Sequence, residues 1–126
     1  DPSPAADNRL TLTNAVATER AAFIDVPAGP NDLYTLNVEA QSRLQSGMIR
    51  AFLICLSAHK AYRAVAPDGA GATVANDGRW QHIEVAVLCP TGTQFVRVDL
   101  RNSGRGTAVF RGITVRELRA ASSRGA

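Results

Sequence analysis

Four side chains in this sequence are of the types that hold zinc: Cys55, His59, His82 and Cys89. Their spacing argues against such a site. On an extended strand, residues four apart point the same way but lie ~13 Å from each other, whereas a tetrahedral site needs every ligand within ~2.3 Å of one ion. No metal is expected. Cys55 or Ser57 could act as a nucleophile only with a histidine in hydrogen-bond reach and a third group to orient it. The chain has no nucleophile elbow, phosphate-binding glycine loop or HExxH. Glu39, Glu84 and Asp99 are the acids from which a glycosidase could be assembled, since two carboxylates ~5–10 Å apart suffice. A small β-domain lacks the deep cleft that excludes water from such a pair, so no enzymatic activity and no cofactor are expected.

What remains is recognition. Asn37, Glu39 and Gln41, then His82 and Glu84, then Arg97 and Asp99 each alternate with apolar residues. If these segments share one sheet, the side chains form one surface of donors and acceptors. That chemistry suits sugar hydroxyls, each of which both donates and accepts. A solvated outer face with cross-strand ion pairs is the competing reading. Tyr62 and Phe95 are aromatics that could lie beside this surface, whereas Tyr34 has core parity. Trp80 is the only tryptophan and could stack under a sugar ring, or it could sit in the core.

The elements that must position these groups are strands. Tyr34, Leu36, Val38 and Ala40 alternate with Thr35, Asn37, Glu39 and Gln41 over 33–41. Ile83, Val85 and Val87 do so over 81–88, and Val96, Val98 and Leu100 over 94–100. Period-two alternation marks antiparallel strands with one face on the core. The nearly continuous apolar run 48–56 predicts a central strand covered on both faces. A further strand is expected over 107–118, with Gly112 where a bulge would fit, and weaker ones over 9–13, 21–26 and 61–66. Turn signals separate them at 27–32, 67–69, 76–78, 90–92 and 102–104. No window shows a helical stripe. Short strands at this spacing predict an all-β antiparallel sandwich.

A chain of 126 residues is one domain in size. We expect the sandwich over 9–118, a linker or N-terminal extension over 1–8 and a flexible tail over 119–126. The longest uncharged apolar stretch, 51–58, is far short of the ~20 residues a membrane helix needs, so no membrane insertion is expected. The net charge is +3 and all but one of the 14 basic residues are arginine. Arg101, Arg105 and Arg111 crowd the 102–106 turn, with Arg116 and Arg119 following. A nucleic-acid footprint would be denser and less interleaved with acids. A solvated loop is the better reading.

A Pro-Ala-Gly-Pro turn leads into Tyr34-Thr-Leu-Asn-Val-Glu39, then an apolar strand, then Gly78-Arg-Trp80 opening the next strand. Phe95-Val-Arg-Val-Asp-Leu100 and Ala108-Val-Phe-Arg-Gly-Ile-Thr-Val115 close the chain. This order resembles the jelly-roll carbohydrate-binding modules appended to bacterial glycoside hydrolases and other envelope enzymes. The resemblance covers residues 21–118. It implies a jelly roll, a buried Trp80 and a non-catalytic module. Such a module tethers a larger extracytoplasmic (secreted, periplasmic or envelope) protein to polysaccharide, with a parent enzyme domain in the same polypeptide as its partner. The alternative is a structural or protein–protein sandwich without a sugar site. Where many family members carry acidic residues for a structural calcium, this chain has Arg111-Gly112, which argues against that ion. In an extracytoplasmic setting the isolated pair Cys55 and Cys89 points to one disulfide, with two buried thiols as the other possibility.

Overall fold

The computed structural model describes residues 9–16, 18–29, 32–66, 72–73 and 76–118. The expected linker at 1–8, tail at 119–126 and turn at 67–69 lie outside them. Nine strands are described: β1 (Leu10–Asn14), β2 (Arg20–Pro27), β3 (Leu33–Ser46), β4 (Ile49–Leu56), β5 (Tyr62–Ala66), β6 (Ala72–Thr73), β7 (Gln81–Leu88), β8 (Phe95–Asn102) and β9 (Arg105–Leu118). All pairings are antiparallel. One sheet has the order β1-β9-β3-β7; the other has β2-β8-β4-β5, with β6 also paired to β4. We call these the β3 sheet and the β4 sheet. Together they form a jelly-roll sandwich. Among the described residues, no helix is long and apolar enough to cross a membrane.

The alternating positions do what their parity predicts. Leu36, Val38 and Ala40 from β3 and Ile83, Val85 and Val87 from β7 are buried. They belong to one core with Ala51, Leu53 and Cys55 from β4 and Val96, Val98 and Leu100 from β8. Each aliphatic side chain the size of valine or leucine contributes about 1.5–3 kcal/mol by leaving water. Tyr34 is buried, and its hydroxyl accepts a hydrogen bond from the Gly29 amide at 2.8 Å.

The apolar run in β4 is covered on both faces for two different reasons. One set of side chains faces the opposite sheet. The other, Phe52, Ile54 and Leu56, forms a second cluster on the outer surface with Val65 and Phe95 packed against it. The Arg101 guanidinium lies 5.0 Å from the Phe52 ring centre. No further layer is needed, because long cationic side chains lie flat over this strip and keep their charged ends in water.

Cys55 and Cys89 form a disulfide with a Cα–Cα distance of 5.6 Å, and both residues are fully buried. Cys55 is in β4 and Cys89 directly follows β7, so the bond joins the two sheets. The register between β3 and β9 slips between Asn37/Glu39 and Thr114/Arg111. Two residues, Gly112 and Ile113, therefore oppose Val38 alone. Gly112 has φ of +62°, a conformation that costs glycine little. This bulge lets Arg111 and Thr114 both face outward.

β3 runs to Ser46, beyond the expected 33–41. Past Ala40 its β7 partner ends, and the turn at 76–78 takes over. The Leu44 amide donates to Asn76 Oδ1 at 2.7 Å, Asn76 Nδ2 donates to the Leu44 carbonyl at 2.5 Å, and the Gly78 amide donates to the Ser42 carbonyl at 3.0 Å. A side-chain amide here does the work of a strand's backbone, which no alternation pattern can report.

Candidate functional site

The polar residues expected on one surface are divided between two. Directly opposed residues in the β3 sheet define rows across its outer face: His82–Glu39–Arg111, then Glu84–Asn37–Thr114, then Ala86–Thr35–Arg116. Asn37, Glu39, Gln41, His82 and Glu84 are therefore brought together. Tyr62, Phe95, Arg97 and Asp99 belong to β5 and β8 and lie on the outer face of the β4 sheet. The single continuous surface is thus corrected, because the jelly-roll crossing places β8 in the other layer. The arginine cluster dissolves for the same reason: Arg101 joins the β4 sheet, while Arg111 and Arg116 join the β3 sheet.

On the β4 sheet the polar groups satisfy one another. Arg97 Nε and Nη2 donate to Asp25 Oδ1 and Oδ2 at 2.7 and 3.1 Å, and Lys60 Nζ donates to Asp25 Oδ2 at 2.8 Å. Arg101 grips Asp99 with two bonds of 2.9 Å. Lys60 lies 3.7 Å from the Phe95 ring centre and Arg97 4.0 Å from that of Phe23. The two arginine pairs are bidentate and lie over aromatic rings. Arg97 and Asp99 hold an ionic cover over the apolar strip and have little left to offer a ligand.

The Asp25 carboxyl is held below the usual carboxylate range chiefly by the Arg97 hydrogen bonds; burial opposes this and Lys60 assists it. A folded pKa below the unfolded one stabilises the fold above the unfolded value and ceases to do so as pH falls through the folded value. Asp25→Asn is expected to cost about 1–2 kcal/mol at neutral pH and to flatten the drop in Tm below about pH 4. Equal acid slopes for the variant and the parent in thermal melts would refute the assignment.

The β3 sheet's outer face is less closed. Glu39 accepts from Arg111 Nε at 2.8 Å, Asn37 Oδ1 lies 2.9 Å from His82 Nε2, and Gln41 Nε2 donates to the Gly78 carbonyl at 2.7 Å. The Arg111 guanidinium lies 3.7 Å from the Trp80 ring centre, with the Arg9 guanidinium at 5.7 Å. Trp80 is half-buried and is not one of the core residues, contrary to the expectation of a buried tryptophan. It directly precedes β7, and arginine rather than core closes over it. Beside this stack is a cavity of about 400 Å³ lined by Thr35, Asn37, Glu84, Thr114 and Arg116. Among the described residues no side-chain hydrogen bond or ion pair engages Glu84 or Arg116.

The carboxylates considered for hydrolysis are accordingly separated in role. Asp99 is buried on the other sheet under Arg101, Glu39 is paired with Arg111, and Glu84 alone lines the cavity. The cysteines considered for metal or nucleophilic chemistry are spent in the disulfide. Ser57 Oγ accepts from the amides of His59 and Ala61 at 3.3 and 3.1 Å, shaping a turn. Thr35, Thr114, Arg111 and Arg116 were not singled out as site residues in the sequence. The signal for Thr35 was its shared parity with Asn37; for those on β9 it was masked by the bulge.

No family model and no curated protein matches the chain, whereas 19 solved chains do. One is the enzymatically active domain of tailspike protein 4 from bacteriophage CBA120, with a TM-score of 0.69 and 12% identity over 87% of this chain. This chain spans only 15% of it. A second is the CBM22-1 xylan-binding domain of Paenibacillus barcinonensis Xyn10C, with a TM-score of 0.59 and 10% identity, covering 90% of this chain and 74% of that one. A third is a family 16 carbohydrate-binding module, with a TM-score of 0.57 and 14% identity, covering 86% and 76%. The fold is thus a jelly-roll sandwich similar to those of the two modules.

Proposed function

We propose that this chain is a non-catalytic carbohydrate-binding module that holds a larger extracytoplasmic protein, its enzyme domain included, close to polysaccharide. The observation that carries the reading is the 400 Å³ cavity on the β3 sheet. Its lining combines an amide, two hydroxyls, a carboxylate and a guanidinium. These are complementary to sugar hydroxyls, and the volume falls within the range of small-molecule clefts. Asn37, Glu84, Thr35, Thr114 and Arg116 are the contacting groups. The Glu39–Arg111–Trp80 stack forms a rigid wall beside them, with His82 orienting Asn37. The buried disulfide supports an oxidising compartment. A tethered weak binder works by raising effective concentration, with no chemistry of its own.

A glycan-array screen of the chain, repeated by calorimetry at two salt concentrations, tests the proposal. A saccharide is expected to bind, and Asn37→Ala and Glu84→Ala are each expected to weaken it about 10-fold. Arg97→Ala is expected to leave affinity unchanged. A folded chain that binds no saccharide, or one whose affinity depends on Arg97 instead of Glu84, would refute the assignment. The alternative of a sandwich that binds protein is favoured by one feature, the exposed apolar side chains of β2.

A further inference from the structure

The edge of the β4 sheet formed by β2 lacks the features that keep strand edges apart. β2 is eight residues long, and among the described residues it pairs with β8 alone. Unpaired edges invite another strand and are ordinarily blunted by lysine, a bulge, an exposed charge or proline within the strand. Here the pairing from Arg20 to Pro27 is unbroken and contains no lysine, and the proline comes last. The one mid-strand charge, Asp25, is turned into the ion pairs with Arg97 and Lys60, and its side chain is only 15% exposed. Phe23 and Ile24, on opposite faces of the strand, remain 55% and 50% exposed. Ile24 has core parity, opposite Val98, yet it projects from the open side of the sandwich.

We infer that β2 is a self-association edge and that its occupant is β2 of a second copy of this chain, paired antiparallel about a two-fold axis through Phe23. The residue pattern favours this occupant and register. A two-fold axis perpendicular to a sheet pairs residues of the same parity, so the strand must be complementary to itself. Centring on Phe23 sets the two phenylalanines opposite each other and places each Ala22 opposite the partner's Ile24, a small residue against a large one. It uses residues 20–26 and leaves Pro27, which has no N–H, outside the ladder. Centring on Ile24 would put Asp25 against Phe23 and draw Pro27 into the pairing. Centring on Ala22 would shorten the ladder to residues 20–24. The ring of Phe23 already carries Arg97 at 4.0 Å, which limits its rotation before pairing. The result is a continuous sheet across two copies. The inner ends of Ile24 are covered, and the β3 sheet cavity of each copy stays open.

The test uses the whole chain in sedimentation equilibrium and in cysteine cross-linking. The wild type is expected to sediment as a dimer at high concentration. Phe23→Lys sets like charges opposite each other at the axis and is expected to weaken association roughly 10-fold or more. Its circular dichroism should be unchanged, because the side chain lies at the surface. In mild oxidant Phe23→Cys is expected to form a covalent dimer, since a residue on the axis faces its own copy at disulfide distance. Ile24→Cys, which faces Ala22, is expected to cross-link several-fold less. A monomer at every concentration, association unaffected by Phe23→Lys, or equal cross-linking at both positions would overturn the inference. The last of these would indicate a different occupant or register at this edge.

Discussion

Replacing Cys55 and Cys89 together by alanine is expected to lower stability by about 3–4 kcal/mol, which for a chain of this size is a fall in Tm of roughly 10–20 °C. The bond closes a segment with a sequence separation of 34. Cross-linking a loop of that length removes much of the unfolded chain's freedom. The disulfide also ties β4 to the end of β7, so its loss releases the contact between the two layers at that end. Both residues are fully buried. Reductant should therefore act on the native protein only through global opening, at a rate that follows unfolding. Thermal melts of the double variant, and of the wild type with and without reductant, read both effects. A double variant that melts within a few degrees of the wild type would show that the layers are held by packing alone.

Asn102→Ala is expected to be nearly as costly, about 2–4 kcal/mol, although the residue touches no ligand. Asn102 is fully buried at the end of β8. Its Nδ2 donates to the carbonyls of Leu12 and Gly106 at 2.9 and 3.2 Å, and its Oδ1 accepts from the Gly104 amide at 2.9 Å. Alanine strands all three backbone groups away from water, and each pays a desolvation penalty. Asn14 lies beside it, donating to the carbonyls of Asn102 and Gly104 at 3.0 Å each, and cannot stand in. Beneath them Gly104 meets the β3–β4 turn so closely that an added Cβ would stand 1.9 Å from the Ser46 carbonyl oxygen. Asn102→Asp keeps the shape and the acceptor but loses the two donations and buries a charge. It is expected to melt below Asn102→Ala at neutral pH and to recover as acid protonates the new carboxyl. A loss under about 1 kcal/mol for Asn102→Ala in denaturant titrations would contradict this account.

Much of the fold was legible because the side chains of β3, β7 and β8 carry a period-two pattern that only a half-buried strand requires. The bulge was legible too, since Gly112 stands inside an otherwise apolar and β-branched strand. The candidate site was legible in part. Parity correctly placed Asn37, Glu39, Gln41, His82 and Glu84 outward, but parity says which side of a strand a residue faces and nothing about which sheet the strand enters. Arg97 and Asp99 therefore seemed equivalent to them and are not. Trp80 was misplaced by the resemblance, since it precedes the regular strand and alternation there does not decide its face.

Local alternation and turn residues were enough to specify the all-β character, the strands and their inner and outer faces. The sequence also limited the choice for Cys55 and Cys89 to a bond or two buried thiols. Sheet packing, by contrast, set that β8 leaves the company of β3 and β7, that Arg97 closes on Asp25, and that Arg111 crosses Glu39 to cover Trp80. Each of these joins residues at least 31 positions apart, brought into contact by the crossing of strands between layers. Contacts of that kind are set by how two twisted sheets pack, and no local pattern encodes them.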